Sequence, residues 1–301
     1  MDIQLSNGQW LRADLTPCVT LRTDLSPVPA TLEVVVRLDD KLAPLLAEGQ
    51  TITAGYEHAA YTIIHNRRMA DGAQVQGNRL MGFHKIIALL ESCHKVAFIR
   101  NAAIIKENAP LTDIYRAAGA TCSISSDIRV KRFYCYVGQA PSFAIARALQ
   151  EEAAALFWTG SQVRVQRLAE MFKTEPVERL PVDTTQTLTS QFLERHGAPS
   201  YFSAKDDASL ANSRNKGNRS AQFYLSADQQ MLNNLSTFLL QKKVWTTRYN
   251  PKIAAGHLID VAGKNHVVIT AAHQRIQGGH GLQVTDRSRF WLGELYTGAR
   301  V

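Results

Sequence analysis

The strongest constraint on the fold is a series of short β-branched runs in the first and last thirds of the 301-residue chain. Val, Ile and Thr favour extended backbone, while Gly, Pro, Asn and Asp interrupt it, so such runs predict short antiparallel strands. The runs lie within 17–24, 31–38, 50–54 and 61–69, and again within 243–250, 256–261, 265–273 and 287–293. We therefore predict a β unit at each end of the chain.

The apolar period changes in the middle third. Phe83, Ile86, Ile87 and Leu90 recur at the spacing of one helical face, which predicts a helix ending near Cys93. Further helices are predicted over 112–118 and 143–156, and strands over 130–138 and 162–168. This mixture predicts an α+β segment between the two β units.

The two later helices carry end signals. Thr112 is the predicted N-cap of the first, and Gly119 suits its left-handed C-terminal cap. Pro141-Ser142 begins the second helix. Its predicted buried face consists of Ile145, Leu149 and Leu156.

Two polar segments interrupt the last half. Residues 173–187 contain two prolines and few large apolar side chains, which indicates a connector between lobes. Residues 205–219 are mostly polar and predict an exposed, weakly ordered loop.

A short internal match relates the two β units at an offset of 207 residues. PLLAEGQTI at 44–52 aligns with PKIAAGHLI at 251–259. The shared positions are Pro44 with Pro251, Gly49 with Gly256, Ile52 with Ile259, and Arg68 with Arg275. Pro would end the preceding strand, Gly would form the corner, and Ile would begin the next strand facing inward. Two interpretations stay open, a duplicated β-barrel or sandwich, and two unrelated Ala/Gly turns before strands.

These patterns predict a β-rich α+β fold with two similar small β-barrel domains and a helix-containing α+β insertion. The predicted first barrel covers 1–82, with strands near 160–180 as candidates to complete it. The insertion covers 83–172, and the second barrel covers 185–301. A homotrimer of such chains would present six similar units around a ring. A ring with three-fold symmetry could then bind a partner with six-fold symmetry.

Charge and composition limit the partners. The formal net charge of +8 and the pI near 9.4 suit an acidic partner, but the basic residues are spread in short groups without a recognition motif for nucleic acid. The sequence lacks both an apolar run long enough to span a bilayer and an N-terminal export signal, so neither a membrane anchor nor export is predicted.

Candidate chemical groups lack the spacing that catalysis or metal binding requires. The sequence contains no G-x-S-x-G, H-E-x-x-H, P-loop or G-x-G-x-x-G motif. Zinc could be imagined at Cys93, His94, Cys122 and Cys135, but buried free thiols in a reducing compartment are favoured there and at Cys18. The other candidates are the histidines His257, His266, His273 and His280, and the carboxylate pairs Glu151-Glu152 and Asp206-Asp207. We predict no catalytic residue, cofactor or metal.

The segment from 138 to 168, GQAPSFAIARALQEEAAALFWTGSQVRVQRL, resembles the central hub proteins of contractile phage tail baseplates and the related base of the type VI secretion spike. The shared pieces are Pro141-Ser142, Leu149, Glu151-Glu152, Phe157-Trp158 and the strand from Val163 to Leu168. One departure is Ala153-Ala154, where many relatives carry a glycine after the acidic pair. That departure predicts a helix that continues farther.

The resemblance implies a structural protein of the virion tail, assembled in the host cytoplasm. Its tail-tube-like barrels would form a homotrimeric ring that receives the tail tube protein on one side and a spike protein on the other. The insertion would contact other baseplate or tape-measure proteins, and nucleic acid would only pass through the pore. The resemblance carries over no cofactor and no catalytic residue.

Two other functions fit part of the sequence. A distal-tail or tube-initiator protein of a phage tail would use the same barrel in a six-fold ring. A tail-associated cell-wall hydrolase would need a working carboxylate pair. The hub is favoured because two barrels in each chain suit a three-fold ring.

Overall fold

The computed structural model describes residues 1–69, 74–76, 79–188, 199–207, 209–213, 220–277 and 285–297. A mixed sheet of 13 strands runs through the first and last thirds. The strands of the first third are β1 (Ile3–Gln4), β2 (Cys18–Asp24), β3 (Ala30–Leu38), β4 (Thr51–Ala54), β5 (Ala59–Arg68), β6 (Gln74–Gln76) and β7 (Arg79–Leu90). Their order in the sheet is β1-β4-β5-β7-β3-β2, with β6 paired to β7.

The middle third forms two smaller sheets and three helices. Its elements are β8 (Ile104–Pro110), α1 (Leu111–Ala117), β9 (Ile124–Ser125), β10 (Arg129–Cys135), α2 (Pro141–Glu151), β11 (Ala154–Trp158), β12 (Val163–Arg167) and α3 (Leu168–Met171). Strand β8 pairs with β10, while β12 lies between β11 and β9.

The last third returns to the large sheet after a small α/β piece. In chain order its elements are β13 (Glu178–Leu180), β14 (Gln186–Thr187), β15 (Ser200–Ala204), β16 (Leu210–Asn212), β17 (Ala221–Phe223), α4 (Gln229–Leu235), β18 (Phe238–Arg248), β19 (Leu258–Val261), β20 (Lys264–Ile276) and β21 (Thr285–Tyr296). Strands β15, β16 and β17 form their own sheet, and the others belong to the large one. The chain is therefore β-rich α+β, as predicted.

The middle third covers one face of the sheet that the strands of the first third form. Val34 and Ile86 of the sheet belong to the same buried cluster as Cys93, Tyr115 and Leu149. The Tyr115 hydroxyl also donates a hydrogen bond of 2.9 Å to the Pro27 carbonyl oxygen. Because burial of large apolar side chains dominates folding stability, this contact fixes the middle third on that face.

The helix predicted at 83–93 is wrong, because this segment belongs to strand β7. Ile86, Ala88 and Leu90 are at most 2% exposed, while Ile87 and Leu89 lie partly exposed on the other face. Apolar residues on both faces of a strand also satisfy a helical spacing, so periodicity alone could not separate the two. The first sheet unit therefore continues past the boundary predicted at residue 82.

The ends of helices α1 and α2 differ from the prediction. Helix α1 begins one residue early, and the carboxylate of Asp127 accepts hydrogen bonds from its first two N–H groups. Gly119 does take the predicted left-handed conformation, with φ +88°. Helix α2 ends at Glu151, because Ala153 has φ +46° and turns the chain into β11. Leu156 is buried as predicted, but it lies in that strand.

Replacing Ala153 by glycine should stabilise the protein. The left-handed conformation costs alanine about 1–2 kcal/mol, and the extra entropy that glycine loses on folding offsets part of that gain. We expect Ala153→Gly to raise the free energy of unfolding by about 0.5–1 kcal/mol in urea denaturation. Ala148→Gly inside α2 is the control and should lower it by about 1 kcal/mol or more. A loss of stability from Ala153→Gly would contradict the assigned turn.

Both polar segments contain short strands that were not predicted. Within 173–187, β13 pairs with β19 and β14 pairs with β18, so this connector adds strands to the second half of the sheet. Strand β12 pairs only with β11 and β9 in the described chain and does not complete the first half. Within 205–219, β16 carries the buried Ala211. The rest of that loop prediction, at 208 and 214–219, lies outside the described residues.

Candidate subunit interface

The corner before β4 and the corner before β19 have the same hydrogen bonds. Gly49 and Gly256 have φ of +87° and +90°. Gly49 donates to the carbonyl of Ile63 at 2.8 Å, and Gly256 donates to that of Val268 at 2.9 Å. Each of these two partners donates in return to the residue after the glycine. The two glycines allow the same left-handed corner because they have no side chain to strain.

The strands after the two corners also correspond. Ile52 and Ile259 are both buried at their starts. Strand β5 has an irregularity between Ile63 and His65, and β20 has one between Val268 and Thr270. The preceding hairpins differ in length, since residues 55–58 connect β4 to β5 but only 262–263 connect β19 to β20. The offset of 207 therefore falls to 205 beyond the hairpins.

This change of offset separates two positions that match in sequence. In strand register, Arg68 corresponds to His273, and Arg275 lies two residues farther along. Arg68 is exposed, whereas His273 is buried and bonded to Ser288 at 2.8 Å. Arg275 forms an ion pair of 2.9 Å with Asp286. The alignment of Arg68 with Arg275 is thus not a correspondence of strand positions.

The two halves of the large sheet have the same strand order. The second half runs β13-β19-β20-β21-β18-β14, against β1-β4-β5-β7-β3-β2 in the first. One row of paired residues across the first half is Ile63, Ala88, Leu32 and Leu21. The corresponding row across the second is Val268, Leu292, Lys243 and Thr187. One difference is that β13 runs parallel to β19, whereas β1 is antiparallel to β4.

The halves join through β2 and the end of β20. These strands are antiparallel, with Leu21 opposite His273. Leu25 donates to the Ile269 carbonyl at 3.1 Å, and Gln277 donates to the Pro17 carbonyl at 2.8 Å. Because N–H groups along a strand alternate between its two edges, Leu21 and His273 also face each other across the junction.

The corresponding edges at the two ends of the sheet are β14 and the end of β5. Thr187 occupies the place of Leu21, and Arg68 that of His273. Leu188 donates to the Lys242 carbonyl at 2.8 Å, so the N–H of Thr187 points away from β18. Met69 donates to the Phe83 carbonyl at 2.8 Å, so the N–H of Arg68 points away from β7. Both edges are oriented to receive another strand.

Cys93 and Cys122 are neighbours, but the described candidate thiols and histidines do not form one cluster. Among the described residues, no three His, Cys, Asp or Glu side chains are grouped as metal ligands. A hydrogen bond with Cys122 and burial raise the pKa of the Cys93 thiol, which makes it a poor nucleophile. Burial lowers the pKa of His273 to about 4, and it also lowers the pKa of His257 and His266. His280 lies outside the described residues.

The carboxylate pairs have structural partners. Glu151 accepts a hydrogen bond from the Tyr224 hydroxyl, and Glu152 pairs with Arg167 at 2.9 Å. Burial and the hydrogen bond to Glu151 raise the pKa of Tyr224 to about 12. Asp207 accepts from the Ser209 hydroxyl at 2.6 Å. Sequence reasoning missed the contact of Glu151 with Tyr224, because 73 residues separate the two in the chain.

In the described part of the chain, every helix is too short or too polar to cross a bilayer.

Comparisons with known proteins bear on the fold. The sequence matches no family model and no curated protein. Among solved structures, a tail protein from Neisseria meningitidis MC58 is similar at a TM-score of 0.66 and 8% identity, over 97% of this chain and 95% of that one. The 43 kDa tail protein of prophage MuSo2 from Shewanella oneidensis follows at 0.62 and 9%, over 97% and 96%.

A secretion protein has a similar fold. An E. coli component of the type VI secretion system, described as similar to T4 phage tail proteins, is similar at a TM-score of 0.52 and 9% identity, over 98% of this chain and 77% of that one. The resemblance predicted from residues 138–168 is thus confirmed at the level of the fold. This chain has the fold that phage tail proteins share with that secretion component.

Proposed function

We propose that this chain is a structural hub protein of a phage tail baseplate, which forms a trimeric ring between the tail tube and the spike. The observation that carries the proposal is the β2–β20 junction. It joins two halves of like strand order inside one chain and leaves the corresponding edges, β14 and the end of β5, at the two ends of the sheet. If β14 adds to β5 of the next copy, the same junction recurs at every subunit boundary.

A contact repeated in this way can close into a ring. A head-to-tail contact closes into a ring when its rotation divides a full turn. Three copies would place six similar sheet units around the ring. Each unit is one half of the large sheet and would correspond to one small tail-tube-like barrel. Such a ring could match a six-fold tail tube on one side and a three-fold spike on the other.

The middle third is proposed to face other baseplate or tape-measure proteins. It carries the exposed apolar side chains Phe98, Ile99, Ile105, Tyr136 and Val137 on or beside β8 and β10. Exposed apolar groups of this size, close together, are typical of protein interaction sites.

The proposed role is mechanical and involves no catalysis. The hydrolase alternative is disfavoured because Glu151 and Glu152 are engaged by Tyr224 and Arg167. The proposed location is the virion tail, with DNA only passing through the pore.

A disulfide across the proposed boundary tests both the ring and its register. Thr187 should lie opposite Arg68 of the next copy, and the Cα atoms of such a pair are about 5.5 Å apart, within disulfide range. We expect Thr187→Cys/Arg68→Cys to form covalent trimers on oxidation, detected on a non-reducing gel. The control is Thr187→Cys/Arg67→Cys, in which the two side chains would point to opposite faces. Equal cross-linking of both pairs, or of the unmodified chain, would contradict the proposed register.

A further inference from the structure

The large sheet has a second face that the middle third covers only in part. Val267, Leu295 and Leu239 of this face pack with Phe157, Leu168 and Met171 of the middle third, while the part around the β2–β20 junction is open. Along β2, β20, β21 and β18, side chains alternate between the buried face and this open face. A shallow depression of about 230 Å³ on the open face crosses the β2–β20 junction. It is lined mainly by Thr20, Thr246, Gln274, Arg287, Arg289 and Trp291.

Cationic side chains outnumber carboxylates on the open face. From strand register and alternation, its cations are Arg22, Arg37, Arg67, Lys85, Arg248, Arg287 and Arg289, and its carboxylates are Asp24 and Glu33. The carboxylates are engaged by Arg22 at 2.7 Å and by Lys85 at 2.8 Å. Among described residues, the remaining arginines have no ion pair with a carboxylate.

Neutral groups hold two of these arginines in place. Arg287 donates to the Gln274 side-chain oxygen at 2.8 Å, and Arg289 stacks 5.1 Å above the Trp291 ring. Both contacts orient a guanidinium without cancelling its charge, and the planar guanidinium suits phosphate oxygens. The face therefore presents ordered positive charge that an anion can neutralise.

We propose that this open face lines the pore of the ring and that its arginines contact the phosphates of double-stranded DNA. The placement in a pore rests on the proposed hub function, because a ring closed edge to edge would continue this face from one copy to the next. The ligand class rests on charge. Phosphate contacts by dispersed arginines give binding that is independent of base sequence. An acidic protein would need apolar anchoring positions, and the depression offers mainly Trp291.

The test measures binding of a short fluorescein-labelled DNA duplex to the assembled protein by anisotropy, between about 50 mM and 200 mM salt. We expect Arg287→Gln/Arg289→Gln to weaken binding at least about tenfold and to flatten the salt dependence. Arg12→Gln/Lys173→Gln removes the same charge elsewhere and should change affinity less than about threefold.

The outcomes separate this inference from the hub function when the mass of each sample is measured as well. A ring that does not bind the duplex, or that loses affinity equally in both double variants, overturns the DNA assignment alone. Tighter binding of a polyglutamate peptide than of the duplex would also overturn it, in favour of an acidic protein. A chain that stays monomeric but binds the duplex through Arg287 and Arg289 overturns the hub and supports the face as a DNA-binding surface.

Discussion

Thr187→Pro is expected to abolish the ring and leave the single chain folded. The N–H of Thr187 points away from β18, so proline removes a donor that an added strand would use. Thr187 is also exposed, so we expect the free energy of unfolding to change by no more than about 1 kcal/mol. Mass photometry should find trimers for the parent chain and monomers for the variant.

Thr187→Val is the matched control for this loss of assembly. It keeps the backbone donor and a β-branched side chain, so trimers should persist. Trimers of unchanged stability in Thr187→Pro would show that β14 is not the joining edge. The proposed β14–β5 boundary would then have to be abandoned.

Gly256→Ala should cost about 3–5 kcal/mol of unfolding free energy. An alanine Cβ at this position would lie 2.6 Å from two carbon atoms of the Phe157 ring, which is itself buried. The backbone φ of +90° adds strain for any residue with a Cβ. Overpacking of about 1–3 kcal/mol and backbone strain of about 1–3 kcal/mol act together here. Urea denaturation measures the sum.

Gly49→Ala is the matched comparison, because Gly49 occupies the same corner in the first half. Its φ is +87°, but nothing lies within 4 Å of an added Cβ. Only the backbone strain remains, so we expect a cost of about 1–2 kcal/mol. Equal costs at the two glycines would mean that Phe157 moves aside freely and that the second corner is not tightly packed.

Most strands at the two ends of the chain could be predicted from sequence, because each alternates apolar and polar residues between turn residues. Strand β7 could not, because Phe83 and Ile87 on its second face complete a helical spacing with Ile86 and Leu90. The end of α2 at Glu151 was equally hidden, because it depends on a left-handed alanine at Ala153. Such a residue carries an energetic cost that only the surrounding structure offsets.

Only part of the candidate interface could be predicted from the sequence. The glycine corners at Gly49 and Gly256 could be found by sequence alignment, because their positions precede any change in loop length. The equivalence of Arg68 with His273 could not be found by sequence alignment, because the shorter hairpin at 262–263 shifts the register by two residues. Recognition of β14 as an edge required the pairing of Thr187 with Lys243, a contact between residues far apart in sequence.

Cryo-electron microscopy of the purified ring tests the central claim most directly. The account predicts three copies with three-fold symmetry, six similar sheet units around the pore, and strand β14 of each copy beside β5 of the next. The middle third should lie on the outer side. Six copies in a ring, or three copies without contact between the large sheets, would contradict the hub and favour the distal-tail or tube-initiator alternative.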